Sequence, residues 1–392
     1  MNTLTLISSY VRRRPLTWGF HILTLAMGVG VVTSILLLEQ SLSDRFTRDI
    51  ANIDLVVGAK GSPLQLILSS LFEIDIPTGN ITLDQANKLA RSPLVGLSAP
   101  VSIGDNVQGI RIVGTSHDFL KIYDASLAQG RLWNGAMEAV LGAKAYESLK
   151  LKLGQHFVGE HGLSAGGELH AKYPYTVVGV LKPTGAVIDR LVLTDISSAW
   201  RVHADETDPS KPLEVTSLLV HYKSTLGAVV MPQLVRAMPD LQAAVPAIEL
   251  ARLNKLLGTG VEVMRAFGIG LLGLSALGFF LALFGAVNQR QRELALLRTL
   301  GARPSLLVGL VTGEGLLLGA LSGIIGVILA RLAVTVAVAQ IAHHGGPGLV
   351  PPRIGGTELA AIGGAMALAL LASVLPSIMA YGIDPARVLR SG

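Results

Sequence analysis

Residues Ala266 to Val287 contain no charged side chain, and Ser305 to Ala330 contain one, Glu314. Each run exceeds the ~20 residues that a helix needs to cross ~30 Å of hydrocarbon. Two further runs resemble them: Leu16 to Leu38, whose only ionisable group is His21, and Leu359 to Ala380, which has none. Hydrocarbon offers no partner to a backbone amide, so runs of this kind can only be helices that satisfy their own hydrogen bonds. Half of the residues are hydrophobic and 15% are charged, which places the chain among membrane proteins. A cleaved signal peptide has a shorter apolar core and a small-residue cleavage site. The first run instead ends in Leu37, Leu38 and Glu39, so it reads as an uncleaved span.

Ahead of it, Leu4, Ile7 and Val11 share one helical face and Arg12, Arg13 and Arg14 follow, a pattern suited to a helix lying among headgroups and broken by Pro15. From Ser41 to about Leu257 no comparable apolar run occurs. Strand-like segments appear at Ile53 to Val57, Ile110 to Val113, Tyr175 to Leu181, Leu191 to Thr194 and Ser217 to Tyr222, with helical patches at Leu83 to Ala90 and Ala143 to Lys150. The expectation is a soluble α+β domain inserted between the first and second spans, with stalks at residues 41–50 and 250–265 prolonging those spans. Four spans put both chain ends on one side. Arg12 to Arg14, Arg290, Arg292, Arg298, Arg303, Arg387 and Arg390 all fall there, and the positive-inside rule makes that side the cytoplasm. The net charge of +5 is thereby explained by orientation in the membrane, and no nucleic-acid partner is expected. There is no cysteine, which excludes disulfides and thiolate metal sites.

Between the second and third runs, NQRQRELALLRTLGA (Asn288 to Ala302) places Leu294, Leu297 and Leu300 at helical spacing among Arg290, Arg292, Glu293 and Arg298. A helix tethered to a span at each end must lie at the membrane face. ELALLRTLGA, the Gly-rich run VTGEGLLLGALSG that follows and the tail IDPARVLR (Ile383 to Arg390) resemble the C-terminal half of the FtsX/MacB-type permeases of ABC transporters. The resemblance implies that residues 288–304 are a cytoplasmic coupling helix docking on a separate ATPase, with Arg290, Arg292, Glu293, Leu297 and Arg298 as the contacts. It also implies a pair of permease copies, a homodimer, working with two ATPase copies that carry the ATP and magnesium. The expected layout is an amphipathic cytoplasmic helix at 1–15, a first span with its stalk at 16–40 and the extracytoplasmic α+β domain at 41–257. A stalk and second span follow at 258–287, the coupling helix at 288–304 and a third span at 305–341. An extracytoplasmic loop at 342–357, a fourth span at 358–380 and a cytoplasmic tail at 381–392 complete it.

No G-x-x-x-x-G-K-[ST] occurs, and VVGAKGSP (Val56 to Pro63) lacks the ending that cradles phosphate, so neither a bound cofactor nor ATPase activity is expected of the chain itself. An ion-driven device would need several ionisable groups within the spans, and only Glu314 and His21 stand there; Glu314 reads as a bundle hydrogen bond beside Thr312 rather than a proton relay. Gly309, Gly313, Gly315, Gly319 and Gly323 form small-xxx-small ladders that allow close packing, in this chain or with a second copy. Leu64, Leu66, Ile67, Leu68, Leu71 and Phe72 lie in a run too short to cross a bilayer, read either as a core helix or as an element resting in the outer leaflet. Gly162 to Gly166 matches G-x-S-x-G around Ser164, but Gly167, Tyr173 and Pro174 indicate a loop rather than a nucleophile elbow, and no catalytic residue is assigned. His156, His161 and His170, and His343 with His344, raise the question of zinc; only Glu160 and Glu168 stand near, so they read as surface loop groups and no metal ligand is assigned.

The expected function is that of a permease subunit in the inner (cytoplasmic) membrane, passing ATP-driven motion outward to lipid-linked or hydrophobic cargo, or to a periplasmic lipoprotein or binding protein. The alternative is a signalling scaffold that switches on a periplasmic enzyme without moving cargo. Membrane lipids are partners in either case.

Overall fold

Long apolar runs become long helices. In the computed structural model, which describes residues 15–74, 76–162, 166–203, 212–343 and 349–390, helix α1 spans Pro15–Asp49 and is followed by the strands and short helices of a sheet unit. These are β1 (Leu55–Ala59), α2 (Pro63–Ser70), β2 (Ile81–Thr82), α3 (Leu83–Ala90), β3 (Val95–Val107), β4 (Ile110–Thr115), α4 (Asp118–Ile122), β5 (Leu127–Gly130), β6 (Glu138–Leu141), α5 (Ala143–Leu149), β7 (His156–Phe157), β8 (Glu160–His161) and β9 (Tyr175–Leu181). After them come β10 (Val192–Asp195), α6 (Ile196–Val202), β11 (Glu214–Val215), β12 (Ser217–Tyr222), α7 (Thr225–Arg236) and β13 (Leu241–Ala244). The chain closes with α8 (Pro246–Gln289), α9 (Gln291–Thr299), α10 (Pro304–His343), α11 (Gly356–Tyr381) and α12 (Pro385–Arg390). The helix expected at 1–15 lies, apart from Pro15, outside the described residues, as do Ser164, His344 and the His343 side chain.

Two units separate, one of residues 1–43 with 258–392 and one of 44–257. In the first, α1, α8, α10 and α11 are, among the described residues, the four helices long and apolar enough to cross a membrane. Their facing sides bury Trp18, Leu25, Val29, Phe279, Leu283, Leu310 and Leu318 in one apolar cluster. Their other sides expose Phe267, Leu274, Leu281, Leu371 and Ile378, an arrangement that suits hydrocarbon and not water. Helix α10 packs on α11 through Gly315, Gly319 and Gly323, where a Cβ would come within 3.0, 2.5 and 2.9 Å of Ser373, Ala369 and Ile362. That part of the ladder therefore serves packing within this chain. Gly309 has open space around it and Gly313 is half-buried. Two ion pairs join its helices: Arg265 meets Glu39 at 2.5 Å, and Arg331 meets Glu358 at the start of α11.

In the second unit the main sheet has the order β13-β1-β12-β3-β4-β10-β6-β9-β5, antiparallel except where β4 meets β10 and β6 meets β9. Both faces are covered, and alternate residues serve opposite sides. Val56, Val113, Leu193 and Leu219 join α2 and α4 in one core, to which Leu250 also belongs and against which Phe46 and Leu253 pack. Leu55, Val57, Leu218 and Val220 join α3 and α7 on the other face, and Ile112, Leu141, Val177 and Val192 continue it beside Val202 of α6. A capping box, Thr82 with Gln85, starts α3, and Ser62 caps α2.

Of the two readings of the run at Leu64 to Phe72, the core helix holds and the outer-leaflet element is corrected. Leu66, Ile67, Leu71 and Phe72 are buried in the first core with Leu68 packed against it, while Leu64 is half-buried. An apolar face already covered by the sheet cannot rest in a leaflet, so Leu64, Leu66, Ile67 and Leu68 belong to a core helix that Leu71 and Phe72 follow.

Two outcomes follow from this packing. Gly319→Val forces a side chain against the Ala369 Cβ and should cost about 1–3 kcal/mol, read as a lower melting temperature in detergent. Gly309→Ala, with nothing within 4 Å, should leave it unchanged or raise it. In the sheet unit burial pushes the Glu73 carboxyl up from 4.5 to about 7, against the opposing pull of Arg111 and Arg190. A carboxyl whose folded pKa lies above its unfolded one favours folding in its protonated form, so this contribution is full below pH 4.5 and is lost as pH rises through 7. Amide exchange between pH 5 and 7.5 should show the sheet unit losing stability with rising pH by up to roughly 3 kcal/mol, and Glu73→Gln should flatten that slope.

Candidate functional site: a short helix between two spans

Helix α9 is nine residues long and follows α8 after a break at Arg290, whose backbone (φ −100°, ψ 8°) leaves the helical region. Gly301, at φ +91°, supports the turn into α10 with a conformation that side-chain-bearing residues rarely adopt. Leu294 and Ala295 are buried in the apolar cluster of the bundle, and Leu297 packs against it. Ile383, from the tail, belongs to the same cluster, and Val388 packs against it. The helix is thus fixed to the bundle along one side.

Arg290 is corrected from a docking contact to an internal one. Its side chain is 7% exposed and donates through Nη1 to both Glu314 carboxylate oxygens, at 3.2 and 3.1 Å. Glu314, read from sequence as a hydrogen-bonded acid beside Thr312, is half of this buried ion pair; the Thr312 hydroxyl instead donates to the Val308 carbonyl at 2.8 Å. Two charges withdrawn from water persist when each meets the other in good geometry, and the loss of either leaves a buried unpaired charge. Arg298 is half-buried and donates to the Ile383 carbonyl, so it ties α9 to the tail. His21 stands edge-on to Phe279, with ring centroids 6.4 Å apart.

What remains outward is Arg292, Glu293, Leu296, Thr299, Leu300 and, just beyond, Arg303. Leu296 is 51% and Leu300 84% exposed. Leu296 was missed by the sequence reading, which set Leu294, Leu297 and Leu300 on one apolar face. The signal was present: Leu296 and Leu300 are four apart and share a side with Arg292.

The sheet unit gathers a different set. His156 accepts or donates at Nδ1 to Thr176 Oγ1 at 3.0 Å and stands apart, and Glu160 accepts from the Gly166 amide at 2.7 Å. His161 and His170 come together with Asp105 and His203, two residues that spacing did not link to them.

Residues 19–247 match the MacB-like periplasmic core domain and residues 265–385 the FtsX-like permease C-terminal domain. The pyoverdine export ATP-binding/permease proteins PvdT of Pseudomonas fluorescens (strain Pf0-1) and Pseudomonas savastanoi pv. phaseolicola (strain 1448A / Race 6) are each 24% identical to this chain, over 86% and 80% of it. Those alignments cover 52% and 49% of the relatives, so the chain spans about half the length of the curated relatives it matches. Among solved structures, the periplasmic region of MacB from Actinobacillus actinomycetemcomitans aligns at 14% identity over 53% of this chain and 95% of that one, with a TM-score of 0.37. The extracellular domain of the noncanonic ABC-type transporter YknZ from Gram-positive bacteria aligns at 14% identity over 49% and 98%, with a TM-score of 0.33. The first of the two domain matches alone spans more than half of the chain, the second covers the bundle helices that hold α9, and the chain belongs to the FtsX/MacB-like family of ABC transporter permeases.

Proposed function

We propose that this multi-pass permease passes ATP-driven motion from an ATPase partner to its sheet unit, with α9 as the docked element. The observation that carries the reading is the two-sidedness of α9. One side is locked to the bundle through Arg290, Leu294, Ala295 and Arg298, and the other offers Arg292, Glu293, Leu296 and Leu300 to a partner. A force applied to the outward side moves helices α8 and α10 with it, because no slack separates them. On this reading the motion passes to the sheet unit along α1 and α8, the two helices that precede and follow its strands in the chain. On this reading the chain lies in the inner membrane with α9 cytoplasmic, a second copy pairs with it, and ATP and magnesium sit in the partner ATPase dimer. The work is done on lipid-linked or hydrophobic cargo or on a periplasmic partner protein. The relatives' printed name, which joins ATP binding to permease function, supports it.

Reversing Arg292 and Glu293 together (Arg292→Glu, Glu293→Lys) should abolish co-purification of the ATPase without changing the melting temperature, since neither side chain is buried. Retention of the ATPase by that variant would refute docking on this face. The internal pair behaves differently. Glu314→Ala or Arg290→Ala alone should cost roughly 3–5 kcal/mol, whereas Arg290→Met with Glu314→Leu should melt above either single variant. Additive losses in the double variant would show that the two side chains are not coupled.

A further inference from the structure

The strand β3 carries a register shift against β4: Ile103 faces Val113, and the next pair is Asp105 with Ile112, leaving Gly104 as an extra residue. Such a bulge exchanges the faces of a strand beyond it. Ile103 and Val113 accordingly belong to the core on one side of the sheet, and Val107 and Ile112 to the core on the other. Asp105 is turned with Ile112 toward the side on which α6 packs, and it is buried there, with only 6% of its side chain exposed.

Three imidazoles meet it. His161 sits in β8, which pairs with β3 so that His161 faces Asp105, and the Gly162 amide donates to the Gly104 carbonyl at 2.8 Å. The returning strand of that hairpin brings His170 alongside, held by bonds from the His161 amide to Glu168 and from the His170 amide to Gly159, 2.7 and 2.9 Å. His203 is the residue that ends α6. Asp105 Oδ1 lies 3.2 Å from His170 Nε2, 3.3 Å from His203 Nε2 and 3.7 Å from His161 Nδ1. The rings stand edge to face with centroids 5.1–5.7 Å apart, and one ligand atom from each of the four residues falls within 4.8 Å of every other.

We propose that Asp105, His161, His170 and His203 are a binding site for a divalent transition-metal ion of the zinc type. A tetrahedral ion bound at about 2.0–2.1 Å holds its ligand atoms roughly 3.3–3.4 Å apart, close to the separations already present between the carboxylate oxygen and the three nitrogens. Three imidazoles with one carboxylate and no sulfur suit zinc, nickel or cobalt; calcium and magnesium call for six or more oxygens. Four protein donors from three separate pieces of the fold close the coordination sphere, so the ion clamps the hairpin and the end of α6 to the bulge in β3. His161, 55% exposed, leaves an entry path from solvent. The site lies wholly within the sheet unit and stands whether or not α9 docks on an ATPase.

The test uses the full chain in detergent, purified with a histidine-free tag and stripped of metal. Dialysis against zinc chloride should load a single tight equivalent, and X-ray absorption at the zinc edge should show nitrogen and oxygen at about 2.0–2.1 Å with imidazole scattering. His170→Ala and His203→Ala should each weaken binding by more than roughly 100-fold, and Asp105→Asn should weaken it as well. The exposed His161→Ala tests the site with least risk to folding, and His156→Ala should bind as the parent does. Amide exchange should slow on zinc in residues 156–176 and 196–203 of the parent and not of His161→Ala. Failure of the parent to bind zinc, or equal binding by the parent and the His161→Ala and His170→Ala variants, would overturn the proposal.

Discussion

Hydrocarbon has no hydrogen-bond donors or acceptors, and this one property sets the terms for half of the molecule. It forces the apolar runs into unbroken helices, makes an unpaired buried charge costly and leaves the packing of helix on helix to small residues. Glu39 with Arg265, Glu358 with Arg331 and Glu314 with Arg290 all obey it. The last pair matters most, because Arg290 marks the break between α8 and α9 while Glu314 stands inside α10. That buried contact joins the start of the short helix to the rod that follows it.

The second unit solves another problem. Its sheet is covered on both faces, and the alternation of β1, β10 and β12 supplies apolar residues to both at once. The bulge at Gly104 works within that scheme. It transfers a carboxylate from one covered face to the other and sets it among three histidines brought there by β8, the segment after it and the end of α6.

Much of the secondary structure was legible. The strands at Ile110–Thr115, Tyr175–Leu181, Val192–Asp195 and Ser217–Tyr222 and the helices at Leu83–Ala90 and Ala143–Leu149 stand close to where alternation and helical spacing place them. The longest strand, β3, was not legible. Gly96, Pro100 and Gly104 interrupt its pattern, and a proline with no amide hydrogen argues against a strand interior. It is tolerated because pairing with β4 begins only at Val101, while the Pro100 carbonyl still accepts from the Thr115 hydroxyl at 2.7 Å. The family resemblance, by contrast, was carried by the segment Asn288 to Ala302 and its Gly-rich neighbour, where the residues stand consecutively in the chain.

The sequence by itself determined the four apolar helices, because the length and apolarity of a run are properties of consecutive residues and hydrocarbon tests each run as a unit. It also placed a short polar helix between two of them. Tertiary structure alone decided which way side chains point. Arg290 turns inward to Glu314 and Arg292 outward, though both are arginines two positions apart; Leu66 and Ile67 go into a core and not a leaflet. The meeting of Asp105 with His161, His170 and His203 depends on a strand bulge, a hairpin and a helix end drawn from distant parts of the chain. Periodicity describes neighbours along the backbone, and it carries no information about groups that only folding brings within bonding distance.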